Sequence, residues 1–243
     1  LFDKYVFDQD KCTKYQNRKY FRHIRCTNIN IKMLNIYENL ISLSINNRSF
    51  NVPIDFLPKT LKILKIKSTK FNQSLDCLPI NLNELSIISN EFNNLLDKLP
   101  INLRSFEIEG NSFSHDLDNL PESLKLLYIK CYNFDNLINF PSNLNSFEIH
   151  SKNFDQQLNF PKTLHFLYIF CANLNRQLIF PDDLKMLKFH YGCSRNICQL
   201  PNNLEELDLY RVWGGFAIDK FPKSLETLTM NECYVDGKLL SIL

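Results

Sequence analysis

Few glycines, nearly balanced charges and the lack of long apolar runs exclude several classes of protein. The 243-residue chain has five glycines, two of them adjacent at Gly214 and Gly215, and no glycine-rich loop that could cradle a phosphate. Its 28 basic and 26 acidic residues leave a net charge of +2, which favours neither nucleic acid nor an anionic membrane surface. No apolar run reaches the length that crosses a bilayer. We therefore predict no nucleic-acid partner, no membrane association and no cofactor.

The chain also lacks the residue clusters of an enzyme. Its five histidines are far apart in sequence: His23, His115, His150, His165 and His190. None of them has a Ser, Cys or Asp neighbour at the spacing of a catalytic triad. His190 lies near Cys193 and Cys198, but this spacing matches no common zinc pattern and a fourth ligand is missing. We predict no catalytic residue and no metal site.

A regular repeat is the main feature that the chain does have. Nine of its ten prolines follow one another at intervals of 20 or 21 residues. They are Pro58, Pro79, Pro100, Pro121, Pro141, Pro161, Pro181, Pro201 and Pro222. Leu or Phe precedes each of them, and a leucine follows three residues later. A fixed period of this length with leucines in step indicates a leucine-rich-repeat solenoid.

Each repeat contains the pattern of one short strand. Apolar residues stand six and eight positions after each proline, as in Leu64 and Ile66, so both point to the same face of a strand. An earlier unit begins at Tyr37, which makes ten units. We predict an α/β-type horseshoe, mostly β with little helix, of about ten repeats with a parallel concave sheet. Residues 1–36 would form an N-terminal capping segment and residues 37–243 the solenoid.

A short polar residue stands two positions after every proline. These residues are Thr60, Asn81, Asn102, Ser123, Asn143, Thr163, Asp183, Asn203 and Ser224. Such side chains bond nearby backbone amides in turns. We therefore predict a turn here that leads into each strand, with side chains bonded inside that turn.

The eight cysteines do not follow a disulfide pattern. Cys131 and Cys171 occupy equivalent places two units apart, so stacked strands would hold them about 10 Å from each other, too far for a disulfide. We predict free thiols in a reducing compartment, the cytoplasm, or the host cytoplasm if the protein is viral. A place in a virion is the alternative.

The later repeats break the rule that a solvent-facing sheet alternates apolar and polar residues. Positions five, seven and nine after the proline should face outward, and from the fifth unit onward, which begins at Pro121, many of them are large. We predict a partner-binding patch on the concave face made of Leu126, Tyr128, His150, Phe166, Tyr168, Phe170, Met186, His190 and Tyr210. The alternative is that a loop, an extra segment or a sister chain covers these residues.

Two further segments bear on partners. The irregular stretch from Tyr210 to Ile218 contains Trp213, a common interface residue, and borders the same patch. Residues 239–243 are mostly apolar, and a solenoid end needs a polar cap. Either these residues fold back as a cap or another chain covers them, and we expect self-association at this end.

Four short segments begin at Phe50, Phe71, Phe92 and Phe154, each followed by Asn or Asp. They resemble FNIP repeats, a leucine-rich-repeat subclass of social amoebae and of giant viruses that infect protists. The surrounding Leu-Pro-x-[Asn/Ser/Thr]-Leu-x-x-Leu-x-Ile frame resembles that family as well, over residues 37–243. The short leucine-rich repeats of secreted bacterial effectors share part of this frame and rank second.

The resemblance implies a function in protein–protein interaction. FNIP repeats of giant viruses often follow an F-box, which recruits a ubiquitin ligase, although residues 1–36 show no F-box. The resemblance therefore implies substrate recognition for a ubiquitin-ligase adaptor. The alternative from another class is a structural or assembly protein, such as a virion component that interacts through the ends of its solenoid.

Overall fold

The computed structural model describes residues 6–7, 21–27, 37–191, 197, 199–212, 221–235 and 238–240. They belong to two compact units, one of Leu1–His115 with Asn119–Leu124 and one of Asp116–Asp118 with Lys125–Leu243. The predictions that concern Cys193, Cys198, the stretch around Trp213 and residues 241–243 lie outside the described residues.

The first unit is a parallel sheet in which each strand pairs with the next strand along the chain. Its strands are β1 (Val6–Phe7), β2 (His23–Cys26), β3 (Ser42–Asn46), β4 (Ile63–Lys67), β5 (Glu84–Ile88) and β6 (Ser105–Gly110). Strands β1 and β2 belong to the segment for which we predicted a cap. The parallel pairing therefore begins before Tyr37, where the repeat pattern first becomes readable in the sequence.

The second unit repeats this arrangement. Its parallel strands are β7 (Leu126–Cys131), β8 (Ser146–His150), β9 (Phe166–Phe170), β10 (Met186–His190), β11 (Glu206–Tyr210) and β12 (Thr227–Asn231). An antiparallel pair follows, β13 (Cys233–Val235) with β14 (Lys238–Leu240). The ten strands β3 to β12 correspond to the ten predicted repeats, so the solenoid with a parallel sheet is confirmed.

The described residues form no helix and consist of strands, isolated bridges, turns, bends and irregular segments. In particular, none of these residues belongs to a helix that could span a bilayer. The segments that return from one strand to the next are short and extended, as a period of 20 residues leaves little room for a helix.

The apolar positions of the repeat fill the interior. In β9, Leu167 and Ile169 are buried, while Phe166, Tyr168 and Phe170 lie on the other face, which we call the outward face of the sheet. Each repeat begins with a turn closed at its proline, as where the Leu61 amide donates to the Pro58 carbonyl at 3.0 Å. The predicted turn before each strand is therefore present.

The polar residues of these turns have a role that differs from our prediction. The Thr60 hydroxyl donates to the Leu40 carbonyl at 2.8 Å, and the Ser123 hydroxyl donates to the Leu103 carbonyl at 2.6 Å. Both carbonyls belong to the preceding repeat. These two side chains join neighbouring repeats as donors, whereas Asp183 at the same position accepts a hydrogen bond from Asn203 Nδ2 at 3.4 Å.

Phenylalanine rings stack along the interior of each unit. In the first unit the rings of Phe50, Phe71, Phe92 and Phe113 follow one another at 5.8, 6.1 and 6.1 Å between centroids. In the second unit Phe134 and Phe154 stack at 6.0 Å. Offset stacking at this distance adds to the free energy gained by burying the rings.

An Asn or Asp follows all of these phenylalanines except Phe113, and its side chain links the repeats. Asn51 Oδ1 accepts the Asn72 amide at 2.9 Å, and Asn72 Oδ1 accepts the Asn93 amide at 3.0 Å. In the second unit Asp135 Oδ1 accepts the Asp155 amide at 2.8 Å. The Phe-Asn segments of the sequence are therefore a ladder, in which each side chain satisfies a backbone amide one repeat later.

Small residues line the interior just after the strands. The Ser68 hydroxyl donates to the Phe50 carbonyl at 2.8 Å, and the Ser89 hydroxyl donates to the Phe71 carbonyl at 2.8 Å. Gly110 holds the equivalent place in β6, where a Cβ atom would lie 1.9 Å from the Ser89 carbonyl oxygen. This space therefore admits only a small residue.

We predict that Phe92→Ala lowers the free energy of unfolding by about 3–5 kcal/mol, because it removes a ring stacked on both sides. Phe92 is 1% exposed, whereas the nearby Leu95 is 57% exposed and serves as the control when replaced by alanine. Urea unfolding followed by circular dichroism measures both variants. Equal losses for the two would contradict the role of the stack.

Gly110→Ala is expected to destabilise the first unit by about 1–3 kcal/mol, because the added methyl group meets a backbone oxygen that cannot rotate away. Replacement of the exposed neighbour Asn111 by alanine is the control. Thermal melting distinguishes the two, and an unchanged melting temperature for Gly110→Ala would show that the backbone adjusts freely here.

The thiols should differ sharply in reactivity. Cys26, Cys77, Cys131, Cys171 and Cys233 are free, and Cys77 is the exposed one among them. Burial raises the pKa of Cys171 to about 12. Because the thiolate is the reactive form, iodoacetamide at about pH 8 should alkylate Cys77 rapidly and leave Cys171 unmodified until the protein unfolds. Peptide mapping by mass spectrometry measures both rates, and rapid alkylation of Cys171 would contradict its burial.

Candidate functional site

The register of the second unit brings the nine predicted patch residues to one face in three rows. Parallel strands in register place equivalent residues side by side, about 4.8 Å apart. The first row holds Leu126, Ser146, Phe166, Met186 and Glu206; the second holds Tyr128, Glu148, Tyr168, Lys188 and Asp208; the third holds Lys130, His150, Phe170, His190 and Tyr210. We call these rows of β7 to β11 the aromatic face.

The members of the aromatic face differ in exposure. Leu126 is 48% exposed and Phe166 is 42% exposed, so both present apolar surface to solvent. The other seven predicted residues are half-buried, six of them rings that pack against their neighbours and the seventh Met186. The rings form a packed layer of side chains on top of the sheet.

His150 is the centre of one part of this layer. Its Nε2 atom lies 2.6 Å from Glu148 Oε1. Its ring stacks on Phe170 at 5.3 Å between centroids and meets the edge of Tyr168 at 4.9 Å. The Tyr128 ring lies 5.7 Å away on the other side. The imidazole is thus fixed by one carboxylate and three aromatic neighbours.

His190 holds the equivalent place two strands further on. Its Nδ1 atom lies 2.9 Å from the Tyr168 hydroxyl, and its Nε2 atom lies 3.3 Å from Asp208 Oδ2. The contact with Asp208 is within ion-pair distance but lacks hydrogen-bond geometry, so the buried Nε2 atom has no hydrogen-bond partner among the described residues. This nitrogen is the one unsatisfied polar side-chain atom in the interior of the described part of the layer.

Asp208, His190 and Tyr168 are connected in the order of a catalytic triad, but the hydroxyl is not activated. Burial, together with the negative charges of Glu148 and Asp208, raises the pKa of Tyr168. A nucleophilic hydroxyl needs the opposite shift. The group therefore stays protonated and suits hydrogen bonding to a bound molecule. Among the described residues, no three His, Cys, Asp or Glu side chains come together as a metal site.

Tyr191 and Arg211 extend the aromatic face at its edge. The Arg211 guanidinium lies 5.3 Å from the centroids of both the Tyr191 and the Tyr210 rings. It donates to the Tyr191 hydroxyl at 3.0 Å and to Glu232 at 2.5 Å. The hydrogen bond to Glu232 is the main reason why the pKa of Arg211 is raised. The guanidinium is thus held in place by two rings and one carboxylate.

A change of backbone conformation brings these two side chains outward. Tyr191 has a φ of 53° and Arg211 a φ of 51°, in the left-handed region that disfavours large side chains. In earlier repeats this place holds small buried residues such as Ser151 and Cys171. The large side chains cannot enter that space, so the backbone turns them out. The sequence carried this signal as a change of residue size ten positions after the proline.

A shallow depression lies within the aromatic face. It has a volume of about 390 Å³ and is lined by Ser146, Glu148, Phe166, Tyr168, Met186 and Lys188, above Phe147 and Leu167. Its lining combines an apolar side, Phe166 and Met186, with one acidic and one basic side chain. Such a mixture suits one apolar side chain of a partner with polar groups next to it.

Comparison with known proteins shows the fold. No family model matches the chain, and no curated protein matches its sequence. The crystal structure of CroV588, described as a novel circular LRR protein, is similar with a TM-score of 0.67 and 23% identity over 86% of this chain. The chain spans 36% of the length of CroV588. YopM from Yersinia enterocolitica WA-314 matches with a TM-score of 0.31 and 17% identity, over 84% of this chain and 73% of YopM. The similarity to CroV588 and the strand pattern together identify the fold as a leucine-rich-repeat solenoid.

Proposed function

We propose that the aromatic face of the second unit binds a protein partner. The observation that carries this proposal is the contrast between the two units at equivalent positions. The outward residues of β3 to β6 are Ser42, Ser44, Asn46, Ile63, Lys65, Lys67, Glu84, Ser86, Ile88, Ser105, Glu107 and Glu109. None of these is aromatic, so the sheet forms without rings on its outward face. The aromatic side chains on the outward face of β7 to β11 are therefore not required for the fold and serve another function.

The composition of the aromatic face suits a protein interface. Its centre holds tyrosine, phenylalanine and methionine, and its charged groups, such as Glu148 and Lys188, lie beside them. Tyr, Phe, Met and Arg are the residues in which interface centres are enriched. An apolar side chain of the partner would lie in the depression beside Phe166 and Met186, with Lys188 as a hydrogen-bond donor.

The packing of the layer supports tight binding. The Tyr168 and His190 rings are already fixed by their mutual hydrogen bond, and His150 is fixed by Glu148. A partner would therefore immobilise few additional side chains. Each rotamer-rich side chain that needs no ordering on binding avoids a cost of about 0.5–1.5 kcal/mol.

The resemblance to FNIP repeats supports a more specific role. In this role the chain recognises substrates for a ubiquitin-ligase adaptor of viral or amoebal origin, in a reducing cytoplasm. The alternative is an assembly protein, such as a virion component, that interacts through the ends of its solenoid. The two assignments predict different partners, so an affinity experiment separates them.

The combined variant Leu126→Ala and Phe166→Ala should weaken capture of the partner by about tenfold or more, because it removes the exposed apolar anchors of the first row of the face. The melting temperature should change little, since both side chains are about half exposed. The measurement is an affinity pull-down from amoebal lysate with quantitative mass spectrometry.

Ile63→Ala is the matched control, because Ile63 holds the same position of its repeat as Leu126 and Phe166 but lies in the first unit. Tyr168→Ala is a poorer probe, since it leaves His190 Nδ1 without its hydrogen bond. Recovery of a Skp1 or cullin supports the adaptor, and recovery of copies of the chain or virion proteins supports assembly. Unchanged capture by the combined variant would contradict the proposed surface.

A further inference from the structure

On the outward face of the first unit, basic and acidic residues lie on different strands. Strand β2 contributes His23 and Arg25, and β4 contributes Lys65 and Lys67, while the outward residues of β3 are Ser42, Ser44 and Asn46. We call this set the donor face, because each of its members can donate a hydrogen bond. Carboxylates begin only on β5 and β6, with Glu84, Glu107 and Glu109.

The register places the donors of three strands within reach of one small group. Arg25 lies opposite Ser44, and Ser44 lies opposite Lys65, so one row contains a guanidinium, a hydroxyl and an ammonium group. In the next row Asn46 lies opposite Lys67. Neighbouring strands are about 4.8 Å apart, which is less than the length of the Arg and Lys side chains. An anion above Ser44 can therefore contact both cations.

Part of the positive charge of the donor face is uncompensated. Lys65 Nζ forms an ion pair with Glu84 Oε2 at 3.8 Å, but both side chains are about half exposed, so this pair contributes little. Neither Arg25 nor Lys67 has a carboxylate within ion-pair distance in the part of the chain that the structure describes. An open depression of about 590 Å³ is lined by His23, Arg25, Ser42, Ser44, Asn46 and Lys65 of the donor face, together with Cys26, Thr27, Ile63 and the carboxylate-bearing Glu84. The space is therefore large enough for a ligand and rich in donors.

We propose that the donor face binds a phosphate group carried by a phosphoserine or phosphothreonine of a partner protein. Such a group has a charge of about −1.5 to −2 and three acceptor oxygens, which match two cations and a hydroxyl better than a single carboxylate does. The site is distinct from the aromatic face and does not depend on the function proposed for it.

Two observations favour a protein over a nucleic acid as the source of the phosphate. The donor face covers only three strands, a width of about 10 Å, before the carboxylates of β5 begin. Its outward residues include no Phe, Tyr or Trp on which bases could stack. One or two phosphates fit this surface, whereas a polynucleotide would extend over acidic residues.

The test uses the full chain and a blocked pentapeptide, Ala-Gly-phosphoserine-Gly-Ala, with isothermal titration calorimetry. We expect binding of the phosphopeptide, no binding of the unphosphorylated peptide, and competition by inorganic phosphate. Arg25→Gln and Lys65→Gln should each weaken binding by about tenfold, because each removes one charge-assisted hydrogen bond. Circular dichroism checks that both variants are folded.

Lys162→Gln is the control for a general loss of charge, because Lys162 is exposed in the second unit, and it should bind the phosphopeptide like the unaltered chain. The combined Leu126 and Phe166 variant should also keep this binding, which separates the site from the aromatic face. Three results would each overturn the proposal: no binding of the phosphopeptide, equal losses in Lys162→Gln and Arg25→Gln, or tighter binding of a short single-stranded oligothymidylate through Arg25 and Lys65.

Discussion

Hydrogen bonds between each repeat and its neighbour are the constraint on which the rest of each unit depends. The strand ladder supplies part of them, and side chains at fixed places supply the others: Thr60 to the Leu40 carbonyl, Asn51 to the Asn72 amide and Ser68 to the Phe50 carbonyl. A single repeat has no partner for these groups, and leaving a buried group such as the Ser68 hydroxyl unpaired is costly. The stacked Phe rings add apolar burial along the same direction. Stability is therefore a property of neighbouring repeats rather than of any one of them.

Sequence alone was sufficient for the strands and for their two faces. The residues six and eight after each proline, such as Leu64 and Ile66, are buried, and their neighbours Lys65 and Lys67 are exposed, because side chains of a strand alternate. Strand β2 was not foreseen, since His23–Cys26 has no proline or leucine frame around it. The pairing of β2 with β3 depends on tertiary contacts, which the four residues of β2 do not specify by themselves.

The roles of the polar residues could not be predicted in the same way. The segments Phe71-Asn72 and Phe92-Asn93 were recognisable as a motif, but the amide that each Asn accepts lies 21 residues away. The turn residue Thr60 was assigned a bond within its turn, although its acceptor lies 20 residues earlier. Local rules describe local bonds, and in a repeat protein many polar side chains have their partners one period away.

The aromatic face was predictable as a set of residues but not as a structure. Parity placed Tyr168 and Phe170 on the outward side, yet their half-burial arises from neighbouring strands: His150 packs against both rings and His190 packs against Tyr168. Tyr191 and Arg211 extend the aromatic face because their backbone adopts the left-handed conformation. The larger size of these two residues does not by itself predict that conformation.

The ladder of Asn and Asp side chains has a consequence for how such a chain can change in evolution. Each bond joins the same position of two successive repeats, and the rungs form across periods of 21 residues, as from Asn51 to Asn72, and of 20 residues, as from Asp135 to Asp155. The ladder therefore tolerates a difference of one residue in the length of a repeat. When a whole repeat is gained or lost, the repeats before and after that place can still form the same hydrogen bonds with each other. Within a unit, the rows of the outward face can thus be lengthened or shortened by one strand, about 4.8 Å at a time, and a binding surface can be resized without being redesigned.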